Sequence, residues 1–350
     1  MKALVLHGIR DLRVEEMPTP KAGPGEVLVR MRAVGLCGSD VHYYTHGRIG
    51  DQVLRKPMIV GHEGAGEVAA VGPGVEHVAA GDRVAIEPSR SCGRCEYCLS
   101  GRPNICPNVQ FASTPPQDGL LCEYAVFEAH QCIPTVPTGR QVPAAISFEE
   151  AAMLEPLQVG VHATNLVGVH PGETVAVVGV GCIGLACMAM ARVCGAGRIL
   201  VTDRLDYRLA LARRLGADET VNVDKENPVE AIRRLTEGRG ADVVFECTNR
   251  AAGAPQAYDL AGIGGRVGLV GIPEEDDIVL DTHRPRRKEL TIQYIRRSRH
   301  AARQAVDLVA SKRVDVAAWV THRVRIEEAA RTFELVEKYA DGVLKAVILP

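Results

Sequence analysis

Two rhythms of apolar residues divide this chain. Up to about residue 156, short apolar runs are separated by glycine and proline punctuation. They are Lys2–Leu6, Glu26–Val34, Gly66–Val71, Arg83–Ile86 and Tyr124–Phe127. Runs of this length and spacing predict strands of a mostly β domain with irregular loops. Beyond that point, apolar runs alternate with helical patterns. The runs are Thr174–Val178, Arg198–Thr202, Glu219–Val223, Asp242–Glu246, Arg266–Val270 and Thr291–Ile295, with helical stretches such as Tyr207–Leu215 and Pro228–Thr236 between them. Buried strands joined by helical crossovers predict a doubly wound parallel sheet, so the fold class is α/β. The tail changes again. Ala301–Ser311 and Glu327–Tyr339 read as helices, and Val343–Leu349 reads as a closing strand.

Composition narrows the classes of function. A length of 350 residues suggests two domains at about 150 residues each. With 46% hydrophobic and 24% charged residues, the chain is neither disordered, collagen-like nor a coiled coil. Its net charge of −2 provides no overall attraction for nucleic acid or an anionic membrane. The arginine-rich stretch His283–Arg303 is therefore expected to be a solvated face or a subunit contact. Met1-Lys2 leads directly into the short apolar run Ala3–Leu6, without the pattern of a signal peptide. A cytoplasmic chain with 11 cysteines is expected to bind metal rather than to form disulfides. Val175–Ala191 is apolar, but glycines interrupt it, Arg192 closes it, and a membrane span needs about 20 residues. It reads as a strand, a tight loop and a buried helix.

Gly179-Val180-Gly181-Cys182-Ile183-Gly184 follows a strand-like run, precedes an apolar helix, and is followed by a second strand ending in Asp203. That order is the one a dinucleotide site requires. Gly179 permits the turn, Gly181 lets the backbone approach a pyrophosphate, and Gly184 brings the helix close to the sheet. Asp203 would accept hydrogen bonds from the adenosine ribose and repel a 2′-phosphate, favouring NAD over NADP. Arg204, directly after it, runs the other way. Separately, Cys92-x-x-Cys95-x-x-Cys98-x7-Cys106 sets four thiols in a segment of about residues 90–108 rich in Gly and Pro. Four sulfur ligands leave no open position, so a structural zinc is expected, with an iron–sulfur cluster or free thiols as the alternatives. The six other cysteines, Cys122, Cys132, Cys182, Cys187, Cys194 and Cys247, read as packing residues.

Two further segments carry a resemblance. Gly61-His62-Glu63-x-x-Gly66, followed by Gly72 and Val75, and Cys37-Gly38-Ser39-Asp40-Val41-His42 resemble the zinc-containing medium-chain dehydrogenases. The cysteine lobe and the nucleotide fingerprint stand in that family's order, and the resemblance covers essentially the whole chain. Cys37–Tyr44, His46–Asp51, Thr114–Gly119 and Leu154–Leu157 are similar to the family's polyol branch.

The resemblance implies a GroES-like catalytic domain over residues 1–156 and 296–350, with a Rossmann domain over 157–295 and the active site in the cleft between. It implies a catalytic zinc held by Cys37 and His62, with Glu63 as third ligand and Glu155 on the metal or reaching it through water. Ordinary alcohol dehydrogenases carry cysteine where this chain has Glu155, and a carboxylate makes a harder, more exchangeable site that suits a polyhydroxy substrate. Ser39 and His42 match a proton relay, and Asp40 would orient His62. Tyr43, Phe111, Glu155 and Arg297 match substrate positions. Ile183, Arg208, Val270, Gly271, Ile272, Ile295, Arg296 and Arg297 match coenzyme contacts. Tyr43 and Phe111 also read as aromatic core, and Ser39 also as a helix cap. The branch often has tyrosine where this chain has Ser298, and Arg296 replaces a bulky residue, so the substrate end departs from the pattern.

The implied activity is NAD-dependent oxidation of a sugar alcohol of the sorbitol, xylitol or L-iditol type by a homotetramer. The rivals are a zinc dehydrogenase for a vicinal diol or threonine, and a non-catalytic NAD-binding protein.

Overall fold

The computed structural model describes residues 1–135 and 146–350. The chain divides into two units, Met1–Glu155 with Ala302–Pro350, and Pro156–Ala301.

In the first unit, strand Glu26–Gly35 is the organising element. Its Val27, Val29, Met31 and Ala33 are buried while Arg30 and Arg32 are exposed, the two-residue alternation of a strand with one face on a core. It lies between Glu63–Val71 and Lys345–Leu349 in a sheet of order Cys132–Pro134, Arg83–Ile86, Glu63–Val71, Glu26–Gly35, Lys345–Leu349, Val320–Arg325, and it also pairs with Tyr124–Glu128. One apolar cluster joins Leu4, Leu6, Val29 and Met31 to Phe333 and Ile348, so residues from both ends of the chain share a core.

Among the described residues, two of the longer strands escape the hydrophobic pattern. Asp11–Glu16 has charged residues at most positions and is held by antiparallel pairing with Lys2–Gly8. Val320–Arg325 is half polar and runs parallel to Lys345–Leu349, with helix Ala329–Glu337 between them in the chain. The strand expected from Gly66 starts earlier, at Glu63, where glycines conceal it from an apolar count.

The second unit has six parallel strands in the order Glu219–Asn222, Arg198–Asp203, Thr174–Val178, Ala241–Glu246, Ala261–Leu269, Thr291–Tyr294. The connection reverses direction across the sheet at Thr174–Val178, whose neighbours are Arg198–Asp203 and Ala241–Glu246. Loops at the carboxyl ends of such strands form a ligand crevice. The apolar stretch 175–191 resolves into strand, glycine loop and helix Cys182–Val193. Among the described residues, no helix is long and apolar enough to cross a membrane.

Candidate metal and coenzyme sites

The first site begins at the end of strand Glu26–Gly35. The chain turns there into helix Gly38–His46, with Cys37 at its N-cap in extended conformation. Asp40, in the first turn, is fully buried. One carboxylate oxygen, Oδ2, accepts from the Cys37 backbone N–H at 3.1 Å. The other, Oδ1, accepts from Ser113 Oγ at 2.7 Å and from the Gly61 backbone N–H at 3.1 Å, and lies 3.3 Å from His62 Nδ1. Asp40 thus ties three segments together and engages Nδ1, which leaves Nε2 of His62 as a ligand atom. Burial alone would lower the His62 imidazole, but Asp40 and then Cys37 hold its pKa well above the ordinary value. Burial likewise opposes ionisation of Asp40, and contacts with His62, Ser113 and the Cys37 N–H overcome it and lower its pKa.

Ligand atoms of Cys37, His62 and Glu63 lie within 4.8 Å of one another. A thiol, an imidazole and a carboxylate converging in a mostly buried pocket form a donor set suited to zinc. The electrostatics that favour a proton on His62 favour a cation in its place. Glu63, however, is engaged elsewhere. Lys345 Nζ donates to Glu63 Oε1 at 2.7 Å and Oε2 at 2.8 Å, and to the Leu36 carbonyl at 3.2 Å. The pair is deeply buried, with side chains 4% and 1% exposed. Glu155 sits in the first turn of helix Leu154–Val167. The residue is half-buried, and burial of the charge pushes its pKa up to about 7, His62 opposing and Glu63 and Glu87 adding to the rise.

The remaining expected residues distribute as follows. The Phe111 ring lies 5.3 Å from that of His62, against the metal pocket. Tyr43, 3% exposed, packs in the core cluster. Ser39 follows Gly38 in the helix, and Cys37 rather than Ser39 is its N-cap residue. His42 has Nδ1 2.7 Å from the Arg48 carbonyl, which makes Nδ1 the donor, and its buried Nε2 meets no partner among the described residues. Arg297 belongs to the second unit, with a left-handed φ of 55°.

The cysteine lobe is built locally. Helix Glu96–Leu99 and the turn Pro103–Ile105 bring the sulfurs of Cys92, Cys95, Cys98 and Cys106 within 4.8 Å of one another. Cys95 and Cys98 are 3.4 Å apart. Backbone N–H groups of Arg94 and Cys95 bring Cys92 down to about 6, while burial and the neighbouring sulfurs push Cys95 up to about 11. Cys122 and Cys132, by contrast, are buried among apolar side chains and pushed up to about 12.

The residues expected to receive a coenzyme lie in the second unit. Gly179 takes a φ of 82° that other residues avoid, and a Cβ on Gly184 would stand 1.9 Å from the Gly179 carbonyl oxygen. Gly181 caps helix Cys182–Val193, in which Ile183 lies in the first turn. Asp203 ends its strand and accepts from the Val180 N–H at 2.9 Å and the Leu205 N–H at 3.0 Å; Arg208 Nη1 is 3.9 Å away. Val270 and Gly271 donate to the Glu246 carbonyl, placing them beside the end of strand Ala241–Glu246, and Ile272 is exposed. Ile295 follows strand Thr291–Tyr294 and donates to the Leu269 carbonyl, with Arg296 exposed after it.

Sequence reasoning missed Ser113 and Lys345. Ser113 has no distinguishing local pattern. Lys345 left a trace as the lone charge opening the apolar run Lys345–Leu349.

Comparison with known proteins places the chain in a family. Residues 23–138 match a family model described as the alcohol dehydrogenase GroES-like domain, and residues 182–311 one described as zinc-binding dehydrogenase. The chain is 39% identical to the sorbitol dehydrogenase of Bacillus subtilis, covering 100% of this chain and 97% of that protein. It is 40% identical to human sorbitol dehydrogenase over 96% of this chain and 92% of the relative. A solved oxidoreductase of unknown specificity from Escherichia coli superposes with a TM-score of 0.92 at 34% identity, over 99% of this chain and 98% of that one. The fold, the two donor sets and these relatives together define an oxidoreductase that uses zinc and NAD. The chain belongs to the zinc-containing medium-chain dehydrogenases, in the branch of the sorbitol dehydrogenases.

Proposed function

We propose that the protein oxidises a secondary hydroxyl of a sugar alcohol of the sorbitol, xylitol or L-iditol type, giving a ketose and NADH. The observation that carries this reading is the convergence of Cys37, His62 and Glu63, in a chain whose full-length relatives are sorbitol dehydrogenases. When bound, zinc acidifies the substrate hydroxyl and NAD⁺ accepts the hydride. Cys37 and His62 hold the metal. Lys345 occupies both oxygens of Glu63, which favours Glu155 as the third protein ligand or as the holder of a water there. Asp40 holds His62 in the tautomer that ligates. Phe111 walls the pocket and limits water. His42, its Nδ1 proton spent on Arg48, can take a proton at Nε2, with Ser39 as the step before it. The four lobe thiols hold a structural zinc. Gly179–Gly184 and Asp203 receive NAD, and Arg297 serves the substrate. The enzyme is cytoplasmic and assembles from copies of itself, as a tetramer.

A panel of sorbitol, xylitol, L-iditol, 2,3-butanediol and threonine, run with both coenzymes beside a metal count per subunit, tests the reading. The expected result is two zinc ions and the highest kcat/KM on a polyol with NAD⁺. A clear preference for butanediol or threonine would replace the substrate class. NADH binding without any alcohol-dependent turnover would remove the enzymatic reading.

A further inference from the structure

Arg204 is the feature of the coenzyme cradle that opposes an NAD preference. A guanidinium just past the strand that ends in Asp203 is well suited to a ribose 2′-phosphate. The structure shows where this guanidinium is held instead. Arg204 Nε donates to both carboxylate oxygens of Asp224, at 3.2 Å each. The Arg204 carbonyl accepts from Asn222 Nδ2 at 3.0 Å, and the same amide donates to Asp206 at 2.7 Å. Lys225 Nζ donates to Asp206 at 2.7 Å, and Asn222 Oδ1 accepts from the Asp224 N–H at 2.9 Å. The backbone closes the network, since Val223 N–H donates to the Asp203 carbonyl at 3.1 Å. The ends of strands Arg198–Asp203 and Glu219–Asn222 are thereby laced together, and Asp224 is aimed at Arg204 by its neighbours.

We propose that Asp224 is a specificity-determining residue for the coenzyme: it holds Arg204 away from the ribose 2′ position. Discrimination against NADP(H) then comes from two carboxylates, one placed by the strand end and one by the loop after the next strand. The inference rests on reading Gly179–Gly184 as the dinucleotide cradle. Arg204 and Asp224 are exposed, at 67% and 54% of their side-chain surface, so each contact is individually weak. Removing Asp224 should shift the preference rather than invert it.

The test is a fluorescence titration of NADH and NADPH at low ionic strength. It compares the intact protein, Asp224→Asn, and Asp224→Asn combined with Arg204→Gln. In Asp224→Asn, NADPH affinity relative to NADH should rise about five-fold, the scale of one exposed ion pair. The double variant should lose that gain, because the released guanidinium supplies it. An unchanged ratio in Asp224→Asn would overturn the proposal. So would a gain that survives in the double variant, which would be a bulk charge effect without Arg204. If NADH failed to bind even the intact protein, the cradle reading itself would fall, and the proposal with it.

Discussion

The cysteine lobe and the metal pocket both gather metal-ligating side chains, and they are built in opposite ways. The lobe takes four identical ligands from Cys92 to Cys106, folded by one short helix and one turn. Pairing of Ser89–Arg90 with Gln110–Phe111 closes its base. The pocket gathers Cys37, His62, Glu63, Glu155 and Lys345 from a helix N-cap, a strand start, a helix start and the last strand of the chain. Its candidate ligands differ in kind, and Asp40 restrains His62 as Lys345 restrains Glu63. The local site suits a structural ion because four sulfurs close its coordination, and the dispersed one suits chemistry because a smaller set of protein ligands leaves a position open.

Substitution of one cysteine in each region breaks this comparison most directly. Cys37→Ser should lower turnover by about 10³-fold or more while sparing NADH affinity, because it removes a ligand of the reactive ion. Steady-state kinetics and a coenzyme titration check both halves. Cys98→Ser should instead remove one zinc per subunit and lower the melting temperature by about 5 °C or more, with turnover of the folded fraction retained. If Cys98→Ser abolished chemistry and left the melting temperature unchanged, the assigned roles would be reversed.

Smaller effects sharpen the account of the pocket. Lys345→Met leaves the Glu63 carboxylate buried without its partner and should cost about 3–5 kcal/mol in denaturant unfolding of the metal-free protein. Adding Glu63→Gln should recover part of that loss. A cost below about 1 kcal/mol would show that the pair bears little of the pocket's structure. The smallest effect concerns pH. The Glu155 carboxyl is raised from 4.5 to about 7, chiefly by burial. The native metal-free protein therefore holds this proton where the unfolded chain has released it. The stability so gained is complete below about pH 4.5 and is lost as pH rises through about 7, by on the order of 1–3 kcal/mol after allowance for partial solvent access. Glu155→Gln should remove that component of the pH slope in unfolding measured across the window.

Legibility in the sequence followed the range of the interactions. The parallel strands of the second unit announce themselves because burial on both faces demands continuous apolar residues, as in Thr174–Val178. The glycine loop is readable because backbone sterics at Gly179 and Gly184 admit no other residue comfortably. Strand Asp11–Glu16 is not readable, since its stability comes from pairing with Lys2–Gly8 rather than from its own side chains. Ser113 is silent for the same reason, and Lys345 shows only as a lone charge at the head of an apolar run. Their roles depend on Asp40 and Glu63, 73 and 282 positions away. Arg204 shows the converse: visible in the sequence, its effect depends on Asp224 beyond the next strand.

By itself the sequence determined the α/β class and pointed to the four-thiol lobe, the glycine turn and the thiol and imidazole of the candidate metal pocket. Each of these is set by side-chain chemistry or backbone sterics within a few consecutive residues. Tertiary structure alone decided that Asp40 orients His62, that Lys345 engages both oxygens of Glu63, and that Asp224 restrains Arg204. Those outcomes turn on which charges meet and at what depth, and pairing of strands remote in the chain sets both.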